Sequence, residues 1–162
     1  MCKRSYVFML FGVLFGIGVL GAGGFLGAQY LMVVETESPL DFNATIQAIQ
    51  AKASDQDWKV PKVYRFCESL EKDGHLVKPV AVIELCKPEY AAILLGQEDT
   101  RLVSSFMPCR ISVYEKAGGK VIVSRMNTRL VSHLFGGEIA KVMSVATQET
   151  QSILDQALID TL

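Results

Sequence analysis

The chain has 162 residues, half of them apolar, with 16 basic and 17 acidic side chains and two histidines. That is one domain's worth of sequence, and it is too apolar for a disordered chain. Lys3 and Arg4 are the only charges before Glu35, which leaves 14 basic against 17 acidic residues in the remainder, a net of −3. A mildly acidic domain without a basic stripe lacks the charge that neutralises phosphates, so no nucleic acid is expected among its partners.

Residues 1–30 read as a cytoplasmic tip and a transmembrane helix. From Tyr6 to Ala28 the chain runs YVFMLFGVLFGIGVLGAGGFLGA without a charge, about the ~20 apolar residues that cross a bilayer. Lys3 and Arg4 before it keep the amino end in the cytoplasm, by the positive-inside bias, and send residues 31–162 across. A cleaved signal peptide is the competing reading, but its apolar stretch is usually only ~7–15 residues. Gly12, Gly16, Gly23 and Gly27 fall on one helical face with two G-x-x-x-G spacings, the pattern of close membrane-helix packing. The partner for that face is a second copy or a larger membrane complex. Glycine is also simply common in membrane helices, and Gly18, Gly21 and Gly24 point elsewhere.

Beyond residue 30 no internal repeat is present. Leu31–Glu37 has strand composition. Ser38 is expected to cap a helix that opens at Pro39, with Asp41 in its first turn. Phe42, Ile46, Ile49 and Ala53 form its buried stripe, and it ends near Asp55. Trp58–Phe66 alternates like a strand, and Glu68–Gly74 is a charged turn or short helix. Val80–Cys86 is the best strand in the chain, and Pro88 opens a short helix ending at Gly96. Arg110–Glu115 and Lys120–Met126 flank Ala117-Gly118-Gly119 as a hairpin. After Gly136-Gly137 a long final helix carries Ile139, Val142, Met143, Ala146, Ile153 and Ala157 on one stripe. The expected class is α+β, in the order β-α-β-β-β-β-α: a largely antiparallel sheet covered by helices on one face.

Two segments carry a family resemblance. Residues 82–94, VIELCKPEYAAIL, and 107–115, MPCRISVYE, resemble the signature stretches of the domain-of-unknown-function 302 family. There a strand ends in Cys, a Pro two residues later opens a helix, and Pro-Cys-Arg begins the next strand. Here those positions are Cys86, Pro88, Pro108, Cys109 and Arg110, and the resemblance runs from about Leu31 to Leu158. It implies a curved sheet similar to the TATA-binding-protein-like group and a dimeric protein, and it supplies no reaction. The chain departs from the simplest members in its membrane anchor, and in Lys87 where the family is associated with Asn.

The cysteines differ in meaning. Cys2 lies at the cytoplasmic membrane edge as an incidental or acylatable thiol. Cys67 is expected to be a buried small hydrophobe. Cys86 precedes a helix amino end, where N–H groups lower a thiol's pKa, and Cys109 sits beside the charge of Arg110. Strand alternation puts Glu84 on the face of Cys86, where a carboxylate would tune a thiol or ligand. Three readings of the pair stand open: packed strand-end residues, a redox or sulfur-handling site, and a haem or metal site completed by Met107, His133 or His75. No C-x-x-C-H or C-x-x-C is present, which removes covalent haem and speaks against structural zinc. No G-x-S-x-G elbow, phosphate loop or dinucleotide fingerprint occurs either.

The sequence therefore points to a single-pass protein of a bacterial or archaeal cell membrane with its folded domain in the periplasm. The absent catalytic motifs favour a binding or accessory module over an independent enzyme, either as a homodimer or as a membrane-complex subunit. The rival is a thiol-redox, sulfur-handling or haem- or metal-binding protein that uses Cys86 and Cys109.

Overall fold

The computed structural model describes residues 31–159. The expected membrane span, its Gly12, Gly16, Gly23 and Gly27 face, and Cys2 lie outside the described residues. Among the described residues no helix is long and apolar enough to cross a membrane.

The chain from Val33 onward is α+β. Five strands, β1 (Val33–Ser38), β2 (Val63–Arg65), β3 (Val80–Leu85), β4 (Cys109–Glu115) and β5 (Val121–Met126), form one sheet. Its order is β1-β5-β4-β3-β2, antiparallel throughout. Five α-helices accompany it: α1 (Phe42–Asp55), α2 (Phe66–Lys72), α3 (Pro88–Gly96), α4 (Thr128–Phe135) and α5 (Gly137–Ile159). A 3₁₀ turn covers Arg101–Phe106. The expected element order is thus enlarged by the 3₁₀ turn and by α4, whose Leu130, Val131, Leu134 and Phe135 recur at helical spacing behind the Asn127 cap, a signal the sequence reading passes over.

Local chemistry sets the boundaries. Asp41, not Ser38, caps α1: its Oδ1 accepts from the Ala44 N–H at 2.9 Å, satisfying one of the first-turn donors that a helix cannot bond itself. Ser38 instead closes β1, and its hydroxyl bonds Thr45 Oγ1 at 2.7 Å in the interior. The strand expected over Trp58–Phe66 shrinks to Val63–Arg65, because Pro61 has no N–H to give a ladder. Lys59 pairs alone with Cys86, each N–H donating to the other's carbonyl at 2.8 and 2.9 Å. Gly118 and Gly119 take φ of +85° and +79° in the β4–β5 turn, which a Cβ would resist.

The main core lies between the sheet and the helices α1 and α5. Ala81, Ile83 and Leu85 of β3, Ile111 and Val113 of β4, and Val123 of β5 meet Ile46, Ile49 and Ala53 of α1 and Ile153 and Ala157 of α5. Each fully buried aliphatic side chain of this size contributes about 1.5–3 kcal/mol by leaving water. A smaller cluster of Leu94, Val103, Ile139 and Val142 lies under α3 and the 3₁₀ turn. The expected burial of Cys67 is not met: it sits half-buried on α2, a helix with no buried residue.

Candidate thiol cavity

The ends of β3 and β4 come together because Leu85 pairs with Cys109 across the ladder. The chain leaves β3 through Cys86 and Lys87 into α3, and enters β4 from the 3₁₀ turn through Met107 and Pro108. Between these segments and α5 lies an apolar cavity of about 60 Å³, lined by Cys86, Cys109, Met107, Met143, Trp58 and Tyr90 among others. Cys86 and Cys109 are both free and half-buried. A second cavity of about 120 Å³, which includes Arg125 and Thr150, shares Cys109 and Thr128 with the first. Cys109 therefore stands between an apolar chamber and one that contains a guanidinium.

A cavity of about 60 Å³ holds a few waters, an ion or a ligand of a few heavy atoms, since about 10–15 Å³ suffices for one water. It is far below the roughly 300–1,000 Å³ of drug-sized pockets. A haem macrocycle is larger than this cavity as it stands.

The lining residues Trp58, Lys87 and Tyr90 are tied together by Glu149 of α5. Its Oε2 accepts from Trp58 Nε1 at 2.9 Å and from Lys87 Nζ at 2.7 Å, and its Oε1 accepts from the Tyr90 hydroxyl. Lys87 also lies 5.4 Å from the centre of the Tyr90 ring and 5.9 Å from that of Trp58, within cation–π range. Burial pushes the Glu149 carboxyl up, but the bonds from Lys87, Tyr90 and Trp58 outweigh it and hold the group below the usual carboxylate range. The bond to Glu149 raises Lys87 and Tyr90 in turn. With three donors on two oxygens, Glu149 is a clasp between α3, α5 and the start of the β2 segment.

The residues singled out in the sequence separate into two groups. Cys86, Cys109 and Met107 surround the cavity. Glu84 and Arg110 do not join them. Glu84 alternates with the core residues Ile83 and Leu85 and so lies on the opposite face of the sheet. There it accepts from the Tyr64 hydroxyl at 3.2 Å and meets Arg110 at 3.6 Å. The expectation that Glu84 shares a face with Cys86 fails because β3 ends at Leu85, and past a strand end the two-residue period no longer applies. Arg110 does not lower the Cys109 thiol for a different reason: the two are adjacent within β4 and their side chains leave opposite faces, although both border the second cavity. Burial, and then the nearby Cys86, push Cys109 upward instead. His133 is exposed on α4 and His75 is exposed after α2, and neither lines the cavity.

Trp58, Tyr90, Met143 and Glu149 are site residues that the sequence reading does not single out as such. One signal was available for Glu149. It occupies the step between Ala146 and Ile153 on the apolar stripe of the last helix, where a carboxylate is costly unless bonded.

The family model described as "Domain of unknown function DUF302" matches residues 34–159, and the chain belongs to that family. Among solved structures the fold is similar to the "Crystal structure of uncharacterized conserved protein DUF302 from Bacillus stearothermophilus", with a TM-score of 0.69 and 21% identity over 78% of this chain and 98% of that one. That likeness speaks for the fold alone. No curated protein matches the chain.

Proposed function

We propose that this DUF302 member is a membrane-anchored, extracytoplasmic binding module that holds a small ligand in the Cys86–Cys109 cavity and serves a larger membrane assembly. The observation that carries this reading is the cavity itself: an apolar chamber with two free thiols, whose lining residues Trp58, Lys87 and Tyr90 are tied together by Glu149. The uncharged run from Tyr6 to Ala28 behind Lys3 and Arg4 supports the anchor and the outward placement of the domain. The Gly12, Gly16, Gly23 and Gly27 face supports a packed partner in the bilayer, a second copy or another subunit. A binding role is the reading supported by a small apolar chamber whose lining holds no carboxylate or imidazole.

Blue-native electrophoresis of the full chain after mild detergent extraction tests the assembly. The expected result is migration above the monomer, reduced by Gly16→Leu. A lone monomer from native membranes overturns the module reading. Thiol chemistry is the second reading, favoured by two free cysteines lining one chamber. It predicts that a mild oxidant couples Cys86 to Cys109 in the folded protein, which mass mapping of the alkylated peptides would detect.

A further inference from the structure

We propose that the Cys86–Cys109 cavity is a site for one soft monovalent cation of the copper(I) class. The two thiolates are its principal ligands, and the thioether of Met107 or Met143 supplies a third. The inference rests on the reading of this cavity as a ligand site and names what occupies it.

The donor inventory is the first argument. Cys86, Cys109, Met107 and Met143 are four sulfur-bearing residues among those that line one chamber. No carboxylate or imidazole is among the lining residues, and Glu149 is bonded to three donors. Among the described residues no group of three or more His, Cys, Asp or Glu is arranged to hold a metal. Calcium and magnesium want six or more oxygen ligands, and structural zinc wants four from cysteine, histidine or carboxylate. Thiolate and thioether sets select copper(I).

Size and surroundings agree with that choice. The chamber of about 60 Å³ suits an ion in a small coordination shell. Its walls are apolar, from Leu94, Val103 and Phe106 among others, and such a shell favours a low-charge ion that needs no hydration. The placement of the thiols also agrees. The Leu85–Cys109 pairing brings Cys86 and Cys109 to the adjoining ends of neighbouring strands. Both remain half-buried and so within reach of a donor protein or chelator. Binding replaces two S–H bonds by two metal–sulfur bonds and releases two protons. The site then carries one net negative charge, beside Lys87 and the amide groups that open α3, and no electron is transferred.

The test is a copper(I) titration of the reduced full chain in mild detergent against a chromophoric chelator such as bicinchoninate, with X-ray absorption on the loaded protein. The expected result is one equivalent retained, an all-sulfur shell, and a loss of affinity of at least about 100-fold in Cys86→Ser or Cys109→Ser. That exceeds or equals the top of the 10–100-fold range typical of outer-shell partners. Met143→Leu and Met107→Leu identify the thioether by a smaller loss in one of them. Zinc(II) offered under the same competition is expected to stay with the chelator. If a serine variant fails to fold, protection of Cys86 and Cys109 from alkylation by bound copper(I) in the unmodified chain gives the same answer.

The proposal is overturned if the chain yields all its copper to the chelator, if the double serine variant retains it, or if nitrogen or oxygen fills the shell. Should the chain still assemble in the membrane while releasing copper, the ion is wrong and the module reading stands. Should copper bind tightly to a lone monomer, the site stands and the assembly reading falls.

Discussion

The two apolar clusters of this domain differ in size and in the elements that build them. In the larger one, between the sheet, α1 and α5, Ile49, Ala53, Ala81, Ile83, Leu85, Val113 and Ile153 are wholly excluded from solvent. In the smaller one, Val103, Leu94, Ile139 and Val142 keep 1%, 4%, 7% and 9% of their surface, much as Leu154, Val121, Phe42 and Leu158 at the rim of the larger one keep 4%, 5%, 7% and 7%. The thiol cavity lies where the two meet, sharing Leu94, Val103 and Val142 with the smaller cluster and Leu85 and Trp58 with the larger. Regular strands and long helices interdigitate to near-crystalline density, whereas a nine-residue helix and a 3₁₀ turn leave space that side chains do not fill. The chamber therefore lies at the seam between the sheet-and-helix core and the smaller cluster.

The sharpest way to break that contrast is a matched pair of truncations. Ile83→Ala removes a fully buried side chain from β3 and is expected to cost about 2–5 kcal/mol by denaturant melting. Leu94→Ala, beside an existing cavity, is expected to cost near the low end of that range and to speed alkylation of Cys86 and Cys109. Equal losses with unchanged alkylation would show the two clusters to be one continuous core.

Next in size is the clasp. Glu149→Gln leaves the Lys87 ammonium, 18% exposed, without its counter-charge, and a cost of about 1–3 kcal/mol is expected for stranding such a partner. The lower end applies because Glu149 is itself 28% exposed and solvent screens the pair. The pH dependence follows from the depressed carboxyl. Its stabilisation is complete above the ordinary carboxylate range and is lost as pH falls through the lower folded value. Lys87, raised by the same bond, contributes below the ordinary lysine range and loses its contribution as pH rises through the higher folded value. Trp58, the only tryptophan, reports the clasp by fluorescence, and the acid limb of that signal should vanish in Glu149→Gln.

The same contrast explains what could be read in advance. The α1 stripe, the β3 run and the β4–β5 hairpin stand out because their apolar residues recur at the period of the element they form and end in the main core. The 3₁₀ turn does not, because such a short element depends on tertiary contacts, whereas α4 was legible from its Asn127 cap and the spacing of Leu130, Val131, Leu134 and Phe135 and was passed over. At the site, Cys86 and Cys109 were legible from their places at element ends. Trp58, Tyr90 and Glu149 converge across separations of 59 and 91 residues, which no local pattern encodes. Glu84 was misplaced because alternation was carried past the end of a strand, and Arg110 because adjacency in the chain was taken for proximity of side chains.

A smaller effect separates two readings of one helix start. Asp41→Ala removes the oxygen bonded to the Ala44 N–H and is expected to cost about 1 kcal/mol, with Asp41→Asn close to neutral. Ser38→Ala should cost less, since Thr45 Oγ1 keeps the Asp41 carbonyl at 2.8 Å. The reverse ranking would return the cap to Ser38.

The smallest expected effect lies on the other face of the sheet and tests whether the sheet-and-helix core insulates the chamber. Burial, and then a bond to Glu35, push the Tyr114 phenol up to about 12. Glu35→Gln should lower that midpoint only in part in a spectrophotometric titration, because burial, the larger cause, is untouched. Tyr114 neighbours Val113, which points into the main core, and β4 begins at Cys109. A rigid strand transmits no change along that path, so alkylation of Cys109 should be the same in the variant as in the unmodified chain. A changed rate would mean that β4 couples the outer face to the cavity, and that the larger core is not the passive frame its burial suggests.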